Sequence, residues 1–169
     1  LKFKTMIKIN HSISVVTAAY NEEKNISNSL TAMSEYFIQD VVPSKIEIII
    51  TNDGSTDNTE SEILKIIKKY NFIKLHNLPR NKGAAFAMNN SIKKSINKYV
   101  LITDADNQFP IKNFKLLWDG LNADNYDASF GCRDRSNEKT YMSYGSKISG
   151  NVANYIYSTK IPDFNCAFK

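Results

Sequence analysis

Short, nearly unbroken apolar runs alternate with helix-period stretches along this 169-residue chain, and that alternation leaves few folds open. "SISVVTA" (12–18), "KIEIIIT" (45–51), "FIKLHNL" (72–78), "KYVLIT" (98–103) and "YDASFGC" (126–132) read as five strands. Between them, "EEKNISNSLTAMSEYF" (22–37) sets Ile26, Leu30, Met33 and Phe37 on one helical face. Asp57 and Glu60 have capping-box spacing ahead of Ile63, Ile66, Ile67 and Tyr70. "GAAFAMNNSIKKSI" (83–96) is a helix whose small residues suit close packing on a sheet, and Pro110 precedes a helix over 111–121. Apolar strands alternating with helices predict a mostly parallel sheet covered on both faces, an α/β, Rossmann-like fold. The length suits one domain.

Parallel sheets bind ligands beyond the carboxyl ends of their strands, and three strand ends turn abruptly polar. They are "TAAYNEE" (17–23), "TNDGSTDNT" (51–59) and the "DADNQ" (104–108) that follows the fourth strand. One such ending is only a turn; three on one edge make a site. Turn formation and capping explain much of "NDGSTD". Asp53 is left over, because Gly54 already provides the turn, and its place suits hydrogen bonding to a donor-rich ligand such as a nucleobase. In "DADNQ", residues two apart fall on the same side of an extended chain. Asp104, Asp106 and Gln108 then converge as two carboxylates and an amide oxygen. These are hard ligands suited to Mg2+ or Mn2+ rather than zinc, and magnesium shares its coordination with substrate phosphates.

No GxGxxG and no GxxxxGK[ST] occurs, which argues against dinucleotide dehydrogenases and P-loop enzymes. Arg133, after the fifth run, and Lys147 in "YGSKISG" are candidate phosphate contacts. The formal net charge of +5 favours anionic partners. Lys68-Lys69 and Lys93-Lys94 read as solvated helix surface, and the aromatic-basic interleaving of RNA-binding sheets is missing, so nucleic acid is not an expected partner. No apolar run reaches the length of a membrane span. The first residues, "LKFKTMIKINHS", lack the apolar core of a signal peptide, and a chain that opens on Leu1 reads as a piece of something longer. Cys132 and Cys166 stand apart with no CxxC and no histidine at ligand spacing, which argues against structural zinc; a reduced, cytosolic setting is the default, with a single disulfide between them as the alternative. The three Asn-x-Ser matches, at Asn10, Asn25 and Asn89, read as chance in an Asn-rich chain.

Together these stretches resemble glycosyltransferase family 2, enzymes of the GT-A fold, from about residue 12 to 169. "SVVTAAYNEEKNI" resembles the family's first strand and nucleotide loop, with Ala18 where proline is common, and "EIIITNDGSTDNT" its second strand and base-contacting Asp. "NKGAAFAMN" resembles its glycine-alanine helix start. "DADNQFP" is closest to the polyprenyl- and dolichol-phosphate hexosyltransferase branch, the one like dolichol-phosphate mannose synthases. "ASFGCRDR" and "IPDFNCAFK" resemble later motifs of that branch, with Cys132 replacing serine and Ala167 replacing glycine.

The resemblance implies that Ala18, Tyr20, Glu22, Asp53, Asp104, Ala105, Arg133 and Lys147 line the nucleotide sugar. It implies that Asp104, Asp106 and Gln108 hold the metal, and that Asp106 serves catalysis. The expected reaction moves a hexosyl group from a GDP- or UDP-sugar to a lipid phosphate, at a membrane surface on its cytoplasmic face. A hydroxyl acceptor would need a general base, and Asp163 is the one candidate before the chain ends; a polyprenyl phosphate is already an anionic nucleophile. A glycan acceptor, or a non-catalytic nucleotide-sugar-binding module, are the alternatives. The chain stops inside a motif at Lys169, so acceptor-covering residues are expected beyond it.

Overall fold

The computed structural model describes residues 7–106, 109–123, 126–132, 140–163 and 166–169, with 140–147 described as backbone. The chain divides into two compact units, 1–112 and 113–169. In the first, β1 (Ile7–Ala19) leads to α1 (Ile26–Glu35), which closes in a π-helical turn (Tyr36–Asp40). Then come β2 (Val41–Asn52), α2 (Thr59–Lys69), β3 (Ile73–Asn77), α3 (Ala84–Lys93) and β4 (Tyr99–Ile102). The second unit holds α4 (Phe114–Ala123), entered through a 3-10 turn at Ile111–Asn113, and α5 (Thr140–Tyr157).

The four strands among the described residues pair in parallel in the order β3-β2-β1-β4. Every carboxyl end therefore falls on one edge, as the alternation predicts. The branched residues of the central strands form the core: Ile13, Val15, Val16, Ile48, Ile49 and Ile50 are fully buried. Ile26, Leu30, Met33 and Phe37 are the buried stripe of α1 and its π-helical turn, the face that the periodicity marks. Burying a branched side chain of this size stabilises by about 1.5–3 kcal/mol, so the two central strands anchor the unit. α3 lies against β1 and β2 through Ala87 and Ser91, both fully buried.

Three expectations need correction. "YDASFGC" is not a strand: 126–132 pairs with no sheet strand, and its backbone bond of note runs from the Gly131 amide to the Phe168 carbonyl at 2.9 Å. Asp57 does not form a capping box with Glu60; Asn58 holds the N-cap position of α2 without a side-chain cap. β1 and β2 also begin earlier than their apolar runs. Ile7, Lys8 and Ile9 pair with Val41, Val42 and Pro43, and the register shifts between Ile9 and Ser12. Cys132 is exposed and Cys166 buried, both as free thiols. Among the described residues no helix is long and apolar enough to cross a membrane.

Candidate functional site

The site is built where β1, β2 and β4 end side by side. β1 stops at Ala19, which is buried, while Ala18 is half-buried and Tyr20 is 45% exposed. Asn21 then takes φ 54°, the left-handed region that asparagine tolerates better than most residues. Its side chain reaches the loop after β2: Oδ1 accepts from the Thr56 amide at 2.9 Å, and the Asn21 amide donates to Ser55 Oγ at 3.0 Å. The Glu22 amide donates to Thr59 Oγ1 at 2.8 Å, and the Glu23 amide to Asp57 Oδ2 at 3.2 Å. Glu23 Oε2 accepts in return from the Asn58 amide at 3.1 Å. The "YNEE" and "GSTDNT" loops are thus bonded into one surface. The role of Asp57 follows from this. Burial pushes its carboxyl up, but hydrogen bonds from the Thr59 hydroxyl and amide and from the Glu23 amide outweigh that and hold it below the usual aspartate range. The Glu22 carboxylate accepts from Asn25 Nδ2 at 2.9 Å, just before α1.

β2 ends at Asn52, and Asp53 is 2% exposed. Its two carboxylate oxygens accept from two consecutive backbone amides: Oδ1 from Lys82 at 2.8 Å and Oδ2 from Gly83 at 2.9 Å. The Asp53 amide itself donates to the Ala19 carbonyl at 2.8 Å. Beneath this edge a polar row fixes α3 to the sheet. Thr51 Oγ1 and Ser91 Oγ share a hydrogen bond of 2.8 Å, Asn90 Nδ2 donates to Thr51 Oγ1 at 3.0 Å, and Ser91 Oγ donates to the Thr17 carbonyl at 2.9 Å.

β4 continues the β1 ladder by one bond beyond its last strand residue, from the Thr103 amide to the Val16 carbonyl at 3.1 Å. Accessibility then alternates: Thr103 and Ala105 are buried, while Asp104 and Asp106 are half-buried. Among the described residues no group of three or more His, Cys, Asp or Glu side chains stands together as a complete metal cage. Two hard carboxylates at an accessible strand end still fit a divalent ion whose remaining ligands are water and substrate phosphate.

Of the other expected site residues, Gln108 and Arg133 lie outside the described residues, and Lys147 falls within α5 at a position described only by its backbone. Asp163 belongs to the second unit. It is 7% exposed, and its carbonyl accepts from the Cys166 amide at 3.1 Å. Sequence reasoning missed the partners of Asp53. Backbone amides carry no side-chain signal; the only hint is Gly83 itself, which takes φ 92°.

The chain is similar to several known proteins. It is 42% identical over 96 residues to the poly-β-1,6-N-acetyl-D-glucosamine synthase of Staphylococcus epidermidis, covering 56% of this chain and 21% of that protein. It is 34% identical over 119 residues to the dolichyl-phosphate β-glucosyltransferase ALG5D of Trichomonas vaginalis, covering 68% of this chain and 36% of that one. The chain thus spans about a fifth to a third of these relatives' lengths. Among solved structures, the mannosyltransferase PcManGT of Pyrobaculum calidifontis, in complex with GDP-Man and Mn2+, superposes with a TM-score of 0.54 at 26% identity, over 62% of this chain and 30% of that one. The sequence profile of glycosyl transferase family 2 matches residues 14–167, and with the parallel sheet and its polar edge this shows that the chain belongs to that family.

Proposed function

We propose that this chain carries the donor site of a metal-dependent inverting glycosyltransferase that moves a hexosyl group from a nucleotide-diphosphate sugar to a polyprenyl phosphate. The observation that carries the reading is the convergence of Asp53, the Tyr20–Glu23 loop and the Asp104/Asp106 pair at one edge of a parallel sheet. On this reading residues 1–169 belong to one catalytic domain.

Asp104 and Asp106 would hold Mg2+ or Mn2+, with Gln108 as a third ligand; the bound ion supplies positive charge against the departing diphosphate. Mn2+ in the GDP-Man complex of PcManGT supports this choice of cofactor. The chain's own residues do the rest. The bonded loops after β1 and β2 would bind and orient the nucleoside, Ala105 would line the nucleotide sugar between the two acids, and Arg133 and Lys147 would add charge at the phosphates. An acceptor phosphate is an anionic nucleophile and needs no base. Support for that acceptor comes from the "DADNQFP" stretch and from the dolichyl-phosphate relative. A lipid acceptor places the reaction at the cytoplasmic face of a membrane, where a net charge of +5 is attracted by anionic lipid.

A second reading, transfer to a glycan hydroxyl, is favoured by the 42% identity to a poly-N-acetylglucosamine synthase. It would ask Asp163 to act as base.

Calorimetry of this chain with GDP-mannose, UDP-glucose and UDP-N-acetylglucosamine, each with and without Mn2+, tests the donor half. At least one donor is expected to bind only with the ion; binding indifferent to Mn2+ would overturn the metal assignment. Transfer of labelled sugar by the full-length protein, to a short polyprenyl phosphate or to a β-1,6-linked glucosamine oligomer, decides the acceptor. No transfer and no donor hydrolysis would leave a non-catalytic binding module.

A further inference from the structure

We propose that the outer face of α3 and the turn that follows it form a docking surface for an anionic membrane, with lysines meeting the headgroups and Phe86 and Ile96 entering the interface. The inference names the surface behind the membrane placement proposed above. It stands on charge and exposure, and its test uses neither donor nor acceptor.

Charge along the chain is segregated. Between Ile63 and Thr103 there is no Asp or Glu, while nine Lys and Arg fall there. The whole chain carries a formal net charge of only +5, so the rest of it is net acidic. Three of the nine are offset by acids: Lys65 pairs with Glu62, Lys69 with Glu35 at 3.7 Å and Lys74 with Glu47 at 2.6 Å. Arg80, Lys82, Lys93, Lys94 and Lys98 are all exposed and make no ion pair among the described residues.

Topology gathers these five away from α1 and α2. The order β3-β2-β1-β4 steps one way from β1 to β3 and then back across the sheet to β4. Right-handed crossovers then put α1 and α2 on one face and α3 on the other. α3 turns Ala87 and Ser91 inward, both fully buried, against β1 and β2. Lys82, Phe86, Asn89 and Lys93 follow one another at helical spacing on the opposite stripe, and all are exposed. Phe86 is 47% exposed, with Lys82 Nζ 4.7 Å from its ring centroid.

The turn after α3 adds an aliphatic tip. Ile96 is 67% exposed although its backbone is pinned. The Ile96 amide donates to Glu47 Oε1 at 2.9 Å, Asn97 Nδ2 to the Ile13 carbonyl at 2.8 Å and the Lys98 amide to Ser12 Oγ at 3.1 Å. A fixed turn that holds an apolar side chain outward between Lys94 and Lys98 has the makeup of an interfacial anchor: the tip enters the headgroup boundary while the ammonium groups meet lipid phosphates. Four lysines to one arginine suit a diffuse field of headgroups better than bidentate phosphate recognition, and an isoleucine offers no ring for a base to stack on. The ten residues of α3 span about 15 Å antiparallel to the strands, so this face runs from the carboxyl edge at Gly83 to the amino edge at Ile96. Contact along it lays the sheet on the membrane and leaves the carboxyl edge opening sideways at headgroup level.

Co-flotation of this chain with vesicles of phosphatidylcholine, alone or with about one third phosphatidylglycerol, tests the proposal. Binding to the anionic vesicles alone is expected, and its loss at about 0.5 M salt. Lys93→Glu combined with Lys94→Glu should weaken binding at least about tenfold and Ile96→Ser about threefold, with thermal midpoints that show both variants folded. Lys65→Glu with Lys68→Glu makes the same charge change on α2 and should weaken binding less than about twofold. The proposal is overturned if the wild-type chain ignores anionic vesicles, if the two charge-reversed pairs weaken binding alike, or if Ile96→Ser changes nothing. Salt-dependent binding to labelled RNA that is tighter than binding to vesicles, and that the Lys93 and Lys94 changes abolish, makes nucleic acid the partner and overturns the lipid assignment. Failure of any of these leaves the donor-site reading to nucleotide calorimetry, which decides it separately.

Discussion

Two carboxylates are sealed into the parallel sheet, one at each edge, and they are held in opposite ways. Glu47, 3% exposed, sits toward the amino edge beside Ser14 on the neighbouring strand. It accepts from Ser14 Oγ at 2.5 Å, from Lys74 Nζ at 2.6 Å and from the Ile96 amide at 2.9 Å. The Asn97 amide donates to Ser14 Oγ at 3.2 Å and Asn97 Nδ2 to the Ile13 carbonyl at 2.8 Å, so the same knot secures the entry into β4. Asp53, at the carboxyl edge, is given no cation by the described residues, only the amides of a loop. A hydroxyl, an ammonium and an amide around Glu47 satisfy the carboxylate and close that edge. At the other edge, among the described residues, backbone amides alone hold the Asp53 carboxylate. The lesson is that burial of an acid says little by itself; the kind of donor it is given separates a closed ion-pair knot from an acid held by the backbone of a loop.

That contrast can be broken by experiment, and the largest effect should fall at the carboxyl edge. Asp106→Ala is expected to lower Mn2+-dependent nucleotide-sugar affinity about a hundredfold, ~2.7 kcal/mol, with the thermal midpoint of the ligand-free chain nearly unchanged. Calorimetry and a melting curve check both halves. At the amino edge the pattern should invert. Glu47→Ala leaves Ser14, Lys74 and the Ile96 amide without their acceptor and should cost about 2–4 kcal/mol in urea unfolding, discounted because Lys74 is half-exposed, with donor affinity retained.

A pH series sharpens the same point. Burial pushes the Glu47 carboxyl up, but the Lys74 and Ser14 hydrogen bonds, the Ile96 amide and the Lys74 charge together hold it below the usual glutamate value of 4.5. A depressed folded value means that its contribution is complete above pH 4.5 and drains away as pH falls through the lower folded value. The stability gap between wild type and Glu47→Gln should therefore narrow on acidification from pH 5 downward, read as urea midpoints. The smallest effect belongs to the loop ties. Asn21→Gly keeps the left-handed backbone but removes the Thr56 bond, and should cost about 1 kcal/mol or less.

Much of this fold could be read from the sequence because β-branched runs and helical stripes report burial directly: Ile48–Ile50 and Ile26, Leu30, Met33, Phe37 are core both by pattern and by structure. The early parts of β1 and β2 were illegible because Lys8 and Asn10 break the apolar run and Pro43 argues against a strand. "YDASFGC" misled for the opposite reason: a strand-like composition is no strand without a ladder partner, and composition does not show the partner. At the candidate site, the polar strand ends were visible as a pattern. Which donors each acid receives was not, since Asp53 takes backbone amides 29 and 30 residues away and Asp57 binds the start of α1's loop.

The bonds between the loops after β1 and β2 join residues 34 to 37 apart in sequence. Contacts of that range close only after the two strands have come together, because the entropy of the intervening chain must first be overcome. Helical signal should therefore return early on dilution from denaturant, and competence to bind nucleotide should return last, as the final event of refolding.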